Sequence, residues 1–160
     1  MKMVFNILPG KISGWKGLSL NNLHQDWLEK LQHNGYRLTG SRRIVVEIMA
    51  KSERALSPLE VYELARGQNA GLGLVTVYRT LEKLEELKLI QRVHQPQGCQ
   101  AFIAAFTGHQ HYILCKQCGK VEFFDGENLE DFFEKIGRQT GYRIEEHWLQ
   151  LFGVCANCRQ

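Results

Sequence analysis

The chain has no apolar run long enough to span a membrane as a helix, which excludes a membrane-spanning helix. Nor is a secretory leader expected at the start of the sequence. The lysines of Met1 to Leu20 are followed by apolar residues that Asn6, Pro9, Gly10 and Ser13 interrupt, so residues 1–18 are expected to be a loose tail. A cytoplasmic protein is the default expectation. Net charge is scarce as well, +3 over 160 residues, with 44% hydrophobic and 23% charged residues, the composition of a soluble globular protein. That length suits one ordinary domain or two small ones. The small net charge hides an asymmetry. Residues 1–93 hold 14 Lys and Arg against 9 Asp and Glu, a balance of +5, whereas residues 94–160 hold 6 against 8, a balance of −2. A basic half beside an acidic half rich in Cys and His suggests nucleic-acid contact on one side and metal on the other.

Cysteine is sparse too, five in all, but four of them fall in two C-x-x-C pairs, Cys115–Cys118 and Cys155–Cys158. One C-x-x-C turn presents two thiolates to a single centre, and two turns complete a tetrahedral sulfur site for structural zinc, one per chain. A redox role for one pair is the rival reading. It would make the chain a thiol–disulfide oxidoreductase, but that chemistry favours a low-pKa thiolate at a helix start, and here both pairs fall in turns at strand ends. Two unrelated disulfides would need an oxidising compartment, to which nothing points.

The first half reads as helical. Leu20, Leu23, Trp27, Leu28 and Leu31 share one helical face, ended by Asn34-Gly35. Ser41 to Lys51 repeats the pattern through Ile44, Val45, Ile48 and Met49. Ser57-Pro58-Leu59-Glu60 is a capping box with proline at the first helical position. A fourth helix is expected from about Val75 to Lys88, with Val77, Leu81 and Leu84 inward. Two strands, Ile90 to His94 and Cys99 to Ala104, flank Gln95-Pro96-Gln97-Gly98 as a hairpin. Helices followed by such a hairpin make a winged helix-turn-helix, expected over residues 19–104. The fourth helix would then be the recognition helix. Off its apolar face lie Thr76, Tyr78, Arg79, Thr80 and Lys83. Arg reaches guanine edges or phosphates, and Tyr and Thr bond phosphates or pack on thymine methyl groups.

Residues 105–160 read as a small α/β domain. His111 to Cys115, Lys120 to Phe124 and Tyr142 to Phe152 are expected strands, and Glu127 to Thr140 an expected helix. The fold class is therefore α+β, a winged helix-turn-helix followed by a small dimerisation domain with a four-cysteine zinc site. A unit this small is marginal alone, so zinc and self-association are both expected. His109 and His111 alternate along a strand and point to one side. With His147 and Glu130 they make a plausible nitrogen and oxygen site for a second, regulatory zinc. His94 and Cys99 flank the hairpin loop at the boundary between the halves, where one more metal ion would fix the angle between them. A lone Cys is more often a small buried hydrophobe. How the six residues divide between sites stays open.

The ensemble resembles the ferric uptake regulator family of bacterial metal-dependent repressors from Leu20 to Arg159. The resemblance rests on Gly73-Leu-Val-Thr-Val-Tyr-Arg-Thr-Leu81, His109-Gln-His111, Cys115-Lys-Gln-Cys-Gly-Lys120, Gly141-Tyr-Arg143 and Cys155-Ala-Asn-Cys158. It implies a homodimer on operator DNA, structural zinc on Cys115, Cys118, Cys155 and Cys158, and a second metal on His109, His111, Glu130 and His147. The peroxide-sensing branch has a His where this chain has Arg43. The usual sensor site draws on His at the positions of Gln110 and Tyr112. Both departures, together with the Cys99 thiol, make the chain most similar to the zinc uptake regulator branch. The resulting expectation is a zinc-responsive repressor, not an enzyme, that binds a palindromic operator as a metal-loaded dimer and controls zinc homeostasis genes. An iron- or manganese-responsive regulator is the alternative within the family.

Overall fold

The computed structural model describes residues 20–94, 100–105, 111–124 and 129–159. The expected tail, Cys99 and His109 lie outside them. Four helices come first: α1 (Leu20–His33), α2 (Gly40–Lys51), α3 (Pro58–Arg66) and α4 (Leu74–Glu86). The strands β1 (Ile90–Val93) and β2 (Ala101–Ala104) pair as an antiparallel ribbon, Ile90 opposite Ala104 and Val93 opposite Ala101. This is the expected winged helix-turn-helix, with helices one to two residues from their expected bounds. The capping box forms as written: Ser57 accepts from the Glu60 N–H, and the Glu60 carboxylate accepts from the Ser57 N–H at 2.8 Å. Leu23, Trp27, Leu31, Val45, Met49, Val61, Val77, Leu81 and Leu84 fill one core between the helices. Each such side chain stabilises by about 1.5–3 kcal/mol relative to exposure.

The run Ala101-Phe102-Ile103-Ala104 is buried at every position. Alternation along the strand explains it. Phe102 and Ala104 join the helical core with Ile90. Ala101 and Ile103 point the other way and, with Val93 and Ala55, meet Tyr112, Leu114 and Val121 of the second domain. A strand covered on both faces reads as an unbroken apolar run. The wing is therefore clamped between two cores, and the second core straddles the domain boundary.

The second domain holds β3 (His111–Cys115), β4 (Val121–Phe124), α5 (Leu129–Thr140), β5 (Gln150–Gly153) and a short 3-10 turn (Ala156–Cys158). Strand β3 is central, antiparallel to β4 and parallel to β5. The segment before α3 stitches this sheet to the first domain. Ala55 N–H donates to the Gly119 carbonyl at 2.9 Å, Val121 N–H to that of Glu53 at 3.1 Å, and Leu56 exchanges both backbone bonds with Phe102. Gly119 has φ +73, and a Cβ there would stand 3.2 Å from the Ala55 carbonyl, so only glycine suits both the turn and the approach.

One expected element is shorter than its sequence suggests. Of the stretch Tyr142 to Phe152 only residues 150–152 join a sheet, within the strand Gln150–Gly153. Residues 142–149 have strand composition but no described strand beside them to complete a ladder, and a strand needs a partner for its backbone groups. Among the described residues, no helix is long and apolar enough to cross a membrane.

Candidate metal and nucleic-acid sites

Strand ends position the four cysteines. Cys115 closes β3, Cys118 sits in the turn to β4, and Cys155 and Cys158 follow β5, which lies beside β3. Because β3 and β5 are parallel neighbours, their C-terminal ends meet at one edge. All four sulfurs lie within 4.8 Å of one another. The Cys118 and Cys155 sulfurs are 3.7 Å apart, too far for a disulfide. Sulfurs on a tetrahedral zinc at about 2.3 Å stand roughly 3.8 Å apart, so the residues fit the ion. The electrostatics agree. Burial pushes the Cys115 thiol up, but the backbone N–H groups of Cys118, Cys155 and Gln117 outweigh it and bring it down to about 6. Cys158 is pushed up to about 12 by hydrogen bonding with the Cys155 and Cys118 sulfurs and then by burial. The sulfurs thus resist being charged together, since four negative charges do not share this volume without a cation. Zinc bound here would supply that charge and would crosslink the chain after β5 to the β3–β4 turn.

The histidine cluster is built on the same sheet. His111 opens β3 and is buried, and His147 precedes β5. Their rings approach with centroids 5.2 Å apart, and Phe133 of α5 stacks on His147 at 4.1 Å. Two of the four expected ligands are thus neighbours. Glu130 is exposed in the first turn of α5. His94 is exposed where the wing strand β1 ends. Cys99 and His109 belong to the residues not described, so the cluster's completeness rests on the sequence.

On α4, the expected DNA-contact residues Tyr78 and Arg79 are exposed side by side. Thr80 does not belong to that face. It is 0% exposed, and its hydroxyl donates to the Thr76 carbonyl at 2.7 Å. It lies three residues after Val77 and one before Leu81, on the apolar side, and a helical Thr is satisfied there by its own preceding turn. Thr76 is half-buried. Lys83 is engaged within the protein: its ammonium binds both Glu86 carboxylate oxygens at 2.8 and 2.9 Å and lies 5.5 Å over the Tyr36 ring. The Glu86 bond, above all, holds its pKa raised. Sequence reasoning missed Val75. It is 64% exposed in the first turn, one helical turn before Tyr78 and Arg79. The signal was available: an apolar residue out of phase with Val77, Leu81 and Leu84.

A helical core with a clamped wing, joined to a sheet that carries a four-sulfur knot and paired imidazoles, defines a metal-binding transcription regulator rather than an enzyme. The comparisons make this specific. The model of the ferric uptake regulator family matches residues 33–152, and the chain belongs to that family of metal-responsive transcriptional regulators. The ferric uptake regulation protein of Neisseria gonorrhoeae is 31% identical over 133 residues, 82% of this chain and 92% of its own. That of Bacillus subtilis strain 168 is 33% identical over 134 residues, 81% of this chain and 90% of its own. A solved structure of a zinc-bound manganese uptake regulator aligns with a TM-score of 0.69 at 28% identity, covering 81% of this chain and 98% of that one.

Proposed function

We propose that the chain is a zinc-responsive repressor that binds palindromic operator DNA as a metal-loaded homodimer and controls zinc-uptake genes. The observation that carries this reading is the convergence of His111 and His147 on the sheet that also docks the wing. With His109 and Glu130 they offer three imidazoles and one carboxylate, a donor set suited to tetrahedral zinc. His94 and Cys99 offer a further imidazole and thiol at the wing. Structural zinc on Cys115, Cys118, Cys155 and Cys158 holds the domain together, and one or two regulatory zinc ions per chain set its DNA affinity.

The dimer reading rests on exposed apolar surface in the second domain. Trp148 is 82% exposed and Tyr142 77%, and Phe132, Leu151, Phe152 and Val154 of the same domain are exposed as well. Exposed apolar side chains in this number, on a domain whose sheet has an open edge among the described residues, suit a second copy. Two recognition helices related by a two-fold axis would enter major grooves about 34 Å apart. Tyr78 and Arg79 would read bases, helped by Thr76, while Lys83 reaches phosphate only by leaving Glu86.

A second reading is an iron- or manganese-responsive regulator, favoured by the names of the relatives. Titrating operator binding against buffered free zinc, iron(II) and manganese(II) separates the two. Zinc alone activating at the lowest free concentration supports the first reading; iron or manganese doing so supports the second. His147→Ala should shift the curve if the histidine cluster senses the metal, and Cys99→Ser should shift it if the wing site does. In either variant the structural zinc stays.

A further inference from the structure

We propose that Gln150 is a positioning residue that passes the state of the histidine cluster to the DNA-binding wing; this rests on the metal-responsive reading above. The Tyr112 hydroxyl donates to Gln150 Oε1 at 3.1 Å, and Gln150 Nε2 donates to the His94 carbonyl at 2.7 Å. The direction of both bonds is fixed by chemistry. A carbonyl only accepts, so the amide nitrogen faces His94, and the amide oxygen is left for the phenol.

The relay joins three strands. Tyr112 on β3 and Gln150 on β5 are partners in the sheet register. His94 directly follows β1. At its other end the relay adjoins the metal ligands. Tyr112 follows His111 directly, and Gln150 lies three residues after His147, whose ring is 5.2 Å from that of His111. A metal ion that draws the two imidazoles together acts on β3 and β5 at the register from which Gln150 reaches the wing.

The apolar contact across the boundary does not supply this. Val93, Ala101 and Ile103 lie against Tyr112, Leu114 and Val121. Such burial is adhesive but non-directional, and tolerates small rotations of one face on the other. The hydrogen-bonded amide is directional and sets the angle. Adhesion and aim are thus assigned to different residues, and the second can be removed without the first.

The test is Gln150→Met in the full chain, which keeps length and apolar contact but neither hydrogen bond. Zinc content, dimer mass and unfolding midpoint should match wild type. The ratio of operator Kd without and with saturating regulatory metal should fall at least tenfold, and the gain in metal affinity caused by operator should shrink by the same factor, since coupling is reciprocal. Tyr112→Phe, which leaves the bond to His94, should lose less. Small-angle scattering of the metal-loaded dimer should show a larger maximum dimension for Gln150→Met. Wild-type coupling and wild-type scattering in that variant would overturn the proposal. Metal-independent operator binding by the wild-type chain would instead sink the metal-responsive reading, and scattering alone would then decide whether Gln150 aims the wing.

Discussion

The two domains solve the same stability problem by opposite means. In the first, four helices and a ribbon bury a continuous apolar core, from Trp27 on α1 to Leu84 on α4. In the second, α5 has no fully buried residue although Leu129, Phe132, Phe133 and Ile136 recur at helical spacing. Its sheet has three strands, and its interior apolar residues are mostly spent against the wing. The first domain closes on itself. The second is completed by things that are not its own residues: the first domain on one face and, as proposed, a metal at one edge and a second copy on the other face. A regulator gains from that division, because the half that depends on external components is the half whose state can change with them.

The largest expected effect therefore belongs to the sulfur knot. Cys118→Ser should lose the structural zinc and, with it, the dimer, because metal-binding energy is folding energy for so small a unit. The first domain should remain helical by circular dichroism. A zinc-loaded dimer of this variant would break the comparison outright. Acidification should act in the same direction, since the ligands must be thiolates: zinc release, followed with a chromogenic chelator, should rise as pH falls.

The converse cut is Leu81→Ala in the closed core. Removing a fully buried Leu costs about 2–5 kcal/mol, and the loss should fall on the first domain, with zinc content unchanged. Denaturant unfolding followed by helical signal would report it. Unfolding of both domains together, with loss of zinc, would mean that the boundary core couples them more tightly than the contrast implies.

Trp148→Ala probes the face proposed for the second copy. Large aromatic anchors of interfaces are worth about 2 kcal/mol or more, so the dimer dissociation constant should rise roughly thirtyfold by analytical ultracentrifugation, with zinc content unaffected. An unchanged constant would move the interface elsewhere.

The same contrast explains what was legible in the sequence. Local signals were reliable where the chain supplies its own partners. Ser57-Pro58-Leu59-Glu60 gave its capping box, the apolar spacing of Val77, Leu81 and Leu84 gave α4, and the C-x-x-C spacing led to four sulfurs that do converge. Errors arose where the partner is not local. Tyr142 to Leu149 has strand composition but, among the described residues, no strand to pair with. Thr80 read as polar surface because its hydroxyl is satisfied by a carbonyl one turn back, which residue type alone does not reveal. The clamped wing was not anticipated either. The apolar run from Ala101 to Ala104 announces burial on both faces but not what lies against each, and the bond from Gln150 to His94 spans residues far apart in sequence.

The smallest expected effect sharpens the boundary between the two regions. Ser57 caps α3, and the Glu60 that completes the box also pairs with Arg54 at 3.2 Å. Arg54 in turn lies opposite Lys120 of the second domain in a backbone bridge. Ser57→Ala removes the cap oxygen and should cost about 1 kcal/mol of first-domain stability, while Ser57→Thr should recover most of it. The segment 53–56 keeps its backbone bonds to Phe102, Gly119 and Val121 in either variant, since none of them uses the Ser57 side chain. Scattering and zinc content should therefore be those of wild type. If Ser57→Ala instead loosens zinc, the cap reaches across the boundary through Glu60 and Arg54. Arg54→Ala would then reproduce the zinc loss without touching the helix cap, which would place the coupling in that ion pair rather than in α3.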